Sequence, residues 1–322
     1  MSSGALQTGG AEVAAETQKP RRRFGRGAPL TGRAREERRL GWLLCAPAVI
    51  VMLVVTGYPI IYAIVLSLQR YDLRFPDDRE WVGLGNYITV LGSSTWWMDF
   101  FNTVIITVIS VAIELVLGML IALVMHRAIF GRGPVRAAIL IPYGIITVVS
   151  AFTWRYAFDG NTGFVVPWLG LDTPPLTTRS GSFFVIILTE VWKTTPFMAL
   201  LLLAGLALVP EELQRAAKVD GANAFQRFFR ITLPLIMPSV LVALLFRTLD
   251  AFRVFDSVFV MTRGANDTET VSILGYNVLI NRLNIGLGSA VSVLIFICVI
   301  IIAAAFVKGL GTSSSPAGGG RR

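Results

Sequence analysis

The chain has 322 residues, 54% of them hydrophobic and only 15% charged, with a formal net charge of +9 and a mean hydropathy of +0.66. That balance excludes an ordinary water-soluble domain, in which about a quarter of residues are charged, and describes a polytopic membrane protein. One histidine and two cysteines exclude a His-based metal cluster, a Ser-His-Asp relay and a disulfide framework.

Residues 1–39 are rich in Gly, Ala, Ser and Arg and nearly devoid of large apolar side chains, so they are expected to form a disordered basic cytoplasmic tail. The arginines at 21, 22, 23, 26, 33, 35, 38 and 39 abut an apolar run. They are therefore read as a topology signal and a contact for lipid headgroups rather than a nucleic-acid site. No secretory signal peptide is expected, because no short apolar region is followed by a small-residue cleavage site.

An apolar helical crossing needs about 20 residues, and six runs meet that length. The first, residues 40–68, contains Pro47 and Tyr58-Pro59, breakers that a span tolerates when neighbours satisfy the freed carbonyls. An external loop, 69–102, follows, with Trp96 and Trp97 read as an interfacial aromatic belt. A core domain, 103–309, then holds five spans: 103–125, 135–158 with Pro142 and Gly144, 183–209, 234–261 and 286–307. A short cytoplasmic tail, 310–322, completes the chain. The runs are long and lack period-two alternation, so the fold class is all-α with six transmembrane helices rather than a barrel.

Nineteen of the 29 basic residues fall in the tails and in the loops near residues 127–136 and 210–234, against seven in the alternate loops. Positive charge stays inside, which puts both termini and the 210–234 insertion in the cytoplasm of a plasma (inner) membrane.

That insertion interrupts apolar sequence with RAAKVDGANAFQRFFRITLP, residues 215–234. Pro210, Glu211 and Glu212 suit a helix start, and a short helix is expected to run to about Val219. Gly221, after Asp220, supplies the left-handed backbone that ends it. A second short helix, 222–231, would carry Phe225, Phe228 and Phe229 at i, i+3 and i+4 beside Arg227 and Arg230. The outcome is a bent cytoplasmic knob, fit either for a protein cleft or for lying on lipid headgroups.

Intramembrane charges mark a second place, since each costs about 2.5–3.5 kcal/mol at a span centre unless it faces protein or water. Glu190, Lys193, Thr194 and Phe197 share one face of the fourth span; Arg247, Asp250, Ala251 and Val254 share one of the fifth, with Arg253 and Asp256 rotated from it. Two readings fit these sets. They line a polar cavity that offers a cargo donors, acceptors and an aromatic platform, or they are self-neutralising structural pairs, Glu190 with Lys193 and Arg247 with Asp250. Under the cavity reading, Arg247→Ala impairs what the cavity does and leaves assembly intact. Glu114 stands alone in the second span and is read as a helix-packing hydrogen-bonding group.

The insertion resembles the motif of ABC importer permeases: Glu-Ala-Ala, three residues, Gly, nine residues, Ile, one residue, Leu-Pro. Ala216, Ala217, Gly221, Ile231, Leu233 and Pro234 match at every interval, while Arg215 stands where the glutamate is usual. Within 40–309, VGLGNY (82–87), WKTTPF (192–197), LAGLALVPEEL (203–213) and MTRG (261–264) are similar to the carbohydrate-uptake, maltose-type first permeases, and most of all to their trehalose-importing branch.

The resemblance implies a type I ABC importer permease fold and the uptake of a sugar, with trehalose first and a maltose-type oligosaccharide or glycerol phosphate as alternatives. It also implies a second homologous permease, two copies of an ATP-binding subunit and a lipid-anchored extracytoplasmic sugar-binding protein. ATP and its Mg would be held by the partner ATPase, with no cofactor and no metal in this chain. Consistently, no Gly-x-x-x-x-Gly-Lys-[Ser/Thr] loop occurs, so this is a transport subunit without an ATPase site. A secondary transporter would want an ion-coupling site and an internal repeat, and would leave the knob without a purpose.

Overall fold

The computed structural model describes residues 32–127 and 132–313; the expected tail over 1–31 and the end of the chain beyond 313 lie outside them. Two units are distinguished, one ending at Tyr58 and the other starting at Pro59. In the first, α1 (Gly32–Met52) passes into a π-turn at Leu53–Gly57. This helix begins ahead of Leu40, so residues 32–39, expected in the tail, are helical.

The second unit opens with α2 (Tyr58–Ser67) and a two-stranded antiparallel pair in which Gln69 faces Trp81 and Arg70 faces Glu80. Next come α3 (Gly85–Leu91) and the long α4 (Ser94–Arg127). The second span therefore starts within the expected external loop, since nothing between Ser94 and Thr103 breaks a helix. Trp96 is not in an interfacial belt: it is 3% exposed and packs with Val271, Leu274, Val278 and Val291, whereas Trp97 is 46% exposed.

The third span is broken. Helices α5 (Arg132–Gly144) and α6 (Thr147–Ala157) meet at 91°, where Pro142 removes a donor and Gly144 relaxes the backbone. Short α7 (Val165–Trp168) leads to α8 (Arg179–Leu206), whose first turn is capped by the Thr178 side chain accepting from the Gly181 amide. Gly118 of α4 lets α8 approach closely, since a Cβ there would lie 2.8 Å from Met198 Cγ and 3.2 Å from the Ala199 nitrogen. Small residues at such crossings are how membrane helices pack without a hydrophobic driving force.

Beyond α8 lie α9 (Glu211–Val219) and α10 (Ala224–Arg227). The second helix of the expected knob does not stop before Pro234. A π-turn, Phe228–Thr232, carries it into α11 (Leu233–Ala251), and such a widened turn absorbs the proline's missing donor. The chain then forms α12 (Asp256–Met261), a tight loop with Arg263, Asn266 and Asp267 at positive φ, α13 (Val271–Tyr276), a π-turn and α14 (Ile285–Ser313).

Among the described residues five helical stretches are long and apolar enough to cross a membrane: 39–67, 94–126, 179–206, 224–261 and 285–309. The bent α5–α6 pair makes a sixth if it counts as one span. The fold is all-α, as the sequence indicated. Its central packing is α4 and α11 against α8, around Met119, Met198, Leu202, Leu206, Ile236 and Ala243.

Candidate functional site

The hairpin and the charged cluster formed by the middle of α8 and the C-terminal end of α11 are the two candidate regions. In the hairpin, Pro210 is the N-cap of α9 rather than its first helical residue. Arg215 donates to Glu211 one turn earlier at 2.7 Å, with both side chains nearly four-fifths exposed, a pair worth only a few tenths of a kcal/mol. Glu211 thus takes up the charge of the residue that replaces the usual glutamate.

Gly221 has φ +82°, and around it the Ala222 amide donates to the Ala217 carbonyl at 2.9 Å, the wrap-around bond that closes helix ends. Asn223 and Gln226 complete a reciprocal capping box. Gln214 Nε2 donates to Thr232 Oγ1 at 2.7 Å and Arg227 Nη1 to the Ala222 carbonyl at 2.9 Å. These bonds tie α9, the bend and the π-turn into one body.

Ala216 and Asp220 are exposed, as is Pro234, Ala217 is buried, and Ile231 and Leu233 are half-buried. The three phenylalanines line one apolar groove of about 960 Å3 beside Met119, Leu123 and Val240, with the Phe229 ring centroid 4.4 Å from that of Phe225 and 5.0 Å from that of Phe228; Phe228 is half-buried against the core while Phe225 and Phe229 are exposed. Val219 is 88% and Phe225 72% exposed.

At mid-chain, Arg247 is the hub of a buried charge network. Its Nε and Nη2 donate to the two oxygens of Glu114 at 2.5 and 3.0 Å, Nη2 also to Glu190 Oε2 at 3.0 Å, and Nη1 to Asp250 Oδ2 at 2.8 Å. Arg247 is 1% and Glu114 0% exposed. Ser257 of α12 donates to the second oxygen of Glu190. Helices α4, α8, α11 and α12 are therefore bound through one guanidinium, whose planar fork suits several carboxylates at once.

In front of the network lies a polar cavity of about 140 Å3. Of the residues expected there, Glu190, Lys193, Thr194, Asp250 and Val254 line it, joined by Thr147, Arg253, Phe255, Asp256 and Ser257. Arg247 stands behind the wall. Ala251 is buried in the core at 2% exposure. Phe197 stacks on Tyr143 at 5.4 Å and 15°, and Lys193 lies 5.7 Å from the centroid of that tyrosine ring.

Glu190 pairs with Arg247 rather than with Lys193, which leaves Lys193 to the cavity. Glu114 is not alone: its partner sits 133 residues away. The burial also changes the expectation for Arg247→Ala, which strands Glu114 without a counter-charge and so affects assembly as well. Arg253 and Asp256 were legible as charges but not as wall, and Ser257 carried no signal at all. Thr147 reaches the cavity because the break between α5 and α6 turns it inward.

Residues 81–313 match the family described as binding-protein-dependent transport system inner membrane component. The chain is similar to the trehalose transport system permease protein SugA of Mycobacterium tuberculosis (strain ATCC 25618 / H37Rv), with 55% identity over 284 residues covering 88% of this chain and 92% of that protein. It is also similar to the trehalose/maltose transport system permease protein MalF of Thermococcus litoralis, 40% identical over 278 residues, 84% of this chain and 94% of that one. Among solved structures, a bacterial ABC transporter involved in the import of the acidic polysaccharide alginate aligns at a TM-score of 0.74 and 22% identity, over 88% of this chain and 100% of that chain. That last likeness is one of fold.

Proposed function

The chain belongs to the family of binding-protein-dependent transport system inner membrane components, and from that premise we propose that it is one of two related permeases in an ATP-driven importer of trehalose. The observation that carries the substrate is its likeness, over nearly the whole of both chains, to a permease named for trehalose transport. The cavity supports a polyhydroxylated, uncharged cargo: Glu190, Asp250 and Asp256 accept hydrogen bonds from hydroxyls, and Lys193 and Arg253 donate to them.

In this mechanism both termini and the hairpin face the cytoplasm, where each of two ATPase subunits grips one permease. The surface around Arg215, Ala216, Asp220, Gly221 and Phe225 enters the ATPase cleft. ATP closes the ATPase pair and favours the outward-facing state, a lipid-anchored binding protein delivers sugar from outside, and hydrolysis restores the inward-facing state. ATP and the binding protein act only through their different affinities for the two states.

A strain lacking this chain, given labelled trehalose, maltose and glycerol phosphate, tests the proposal. Loss of trehalose uptake, restored by the chain, is expected. In the complemented strain uptake should end on ATP depletion and persist when the proton gradient is collapsed. Unchanged trehalose uptake in the deletion strain refutes the substrate; dependence on the proton gradient refutes the energy source.

A further inference from the structure

Glu114 lies on α4, does not line the cavity, and has no part in transport so far. Its two oxygens nevertheless grip Arg247 at two points, Nε at 2.5 Å and Nη2 at 3.0 Å, with both side chains almost wholly buried. A two-point grip fixes the plane of a guanidinium and not merely its position. The directions of the remaining N–H groups follow from that plane: Nη1 meets Asp250 Oδ2 at 2.8 Å and Nη2 meets Glu190 Oε2 at 3.0 Å. Those two carboxylates are cavity wall, and the Asp250 side chain is still 67% exposed while one of its oxygens is held.

We infer that Glu114 is a positioning residue of the sugar cavity: by orienting Arg247 it aims the carboxylates of Glu190 and Asp250 at hydroxyl groups of a neutral sugar. The inference rests on the cavity reading above. A sugar hydroxyl is recognised by direction as much as by charge, so an acceptor that rotates freely loses both affinity and selectivity. The arrangement also explains why an arginine stands where it cannot reach the cargo. Its donors are used on the wall behind the site, as outer-shell partners are in other binding sites.

The test uses the whole importer, purified with its partner subunits and trapped with ATP and vanadate, and measures binding of labelled trehalose. Glu114→Gln keeps the volume and frees the guanidinium, whereas Glu114→Asp keeps the charge and withdraws the grip by one methylene. Both are expected to co-purify with the complex and to bind trehalose roughly 10-fold more weakly, the scale of one hydrogen bond to a charged group lost through misdirection.

Coupling to the wall is read from a mutant cycle. Glu114→Gln added to the Asp250→Asn, Glu190→Gln pair should bind little worse than that pair alone, because Glu114 acts only through those two carboxylates. Parent-like binding in Glu114→Gln and Glu114→Asp, or losses that multiply, overturns the inference, and so does failure of both single variants to assemble, which makes Glu114 a structural brace only. If instead Asp250→Asn and Glu190→Gln themselves bind trehalose like the parent, the cavity reading fails, a result distinguishable from failure of the Glu114 step.

Discussion

Gly221 sits at φ +82° with no atom within 4 Å of where a Cβ would be, so the effect of substitution on this chain itself is conformational rather than steric. An L-residue in the left-handed region costs about 1–2 kcal/mol, with β-branched side chains at the worse end. Escape from that region gives up the bond from the Ala222 amide to the Ala217 carbonyl, worth about 1 kcal/mol. Strain and escape are alternatives, so Gly221→Val disfavours the closed hairpin by the strain alone, about 1–2 kcal/mol, or roughly 5- to 30-fold in population.

Gly221→Ala should fall between, and Gly221→Asn near the parent, because asparagine visits the left-handed region readily. The assay is sugar uptake per ATP hydrolysed by the importer in proteoliposomes with its binding protein. Activity should decline in the order Gly, Asn, Ala, Val. Parent-like uptake in the Val variant would refute the reasoning, and equal impairment of Asn and Val would shift the cause from φ to side-chain contact.

Arg247→Ala leaves Glu114 buried and uncompensated, which costs about 3–5 kcal/mol; the yield of intact complex and its melting temperature should both fall, and an unchanged melting temperature contradicts the hub. Gly118→Val forces a Cβ against Met198 and the α8 backbone and should destabilise the detergent-solubilised chain by about 1–3 kcal/mol, with Gly118→Ala milder; a Val variant that melts like the parent would show that α4 and α8 separate freely. Phe225→Ala removes a side chain that is 72% exposed and touches Phe229, so the chain's own stability should change by no more than about 1 kcal/mol. Co-purified ATPase should drop nonetheless, and unaltered recovery removes Phe225 from the docking surface.

Span existence was legible because a membrane crossing leaves a one-dimensional mark, a long run without charges. What the sequence hid was where such a run bends or overreaches. The 91° break between α5 and α6 follows from Pro142 and Gly144, but a proline can kink, break or be absorbed, and Pro234 was absorbed by a π-turn. The period of 3.6 placed Glu190, Lys193 and Thr194 on one face and Arg247 with Asp250 on another. It carried no information on which faces meet, so Glu114, 133 residues from its partner, could not be assigned. Trp96 shows the same limit: a tryptophan beside a span reads as an interfacial anchor until tertiary packing buries it.

The unbroken helix through Pro234 has a mechanical consequence that two separate short helices would not have. Helix α11 is about 28 Å long at 1.5 Å per residue. Its N-terminal end continues from the π-turn that Gln214 fastens to α9, and its C-terminal end carries Arg247 and Asp250. The hairpin and the charge hub are thus two ends of one rod. On the proposed function, a push on the hairpin by the ATPase moves the hub as a body, and with it the carboxylates that the hub aims. A flexible joint at residue 234 would have dissipated that push before it reached the cavity. The hub also ties α11 to α4, α8 and α12 through directional bonds, so the rod cannot shift far without exchanging bonds at its C-terminal end. Such an exchange between discrete bonding patterns is what a two-state transporter needs, since packed interiors switch between arrangements rather than deform continuously.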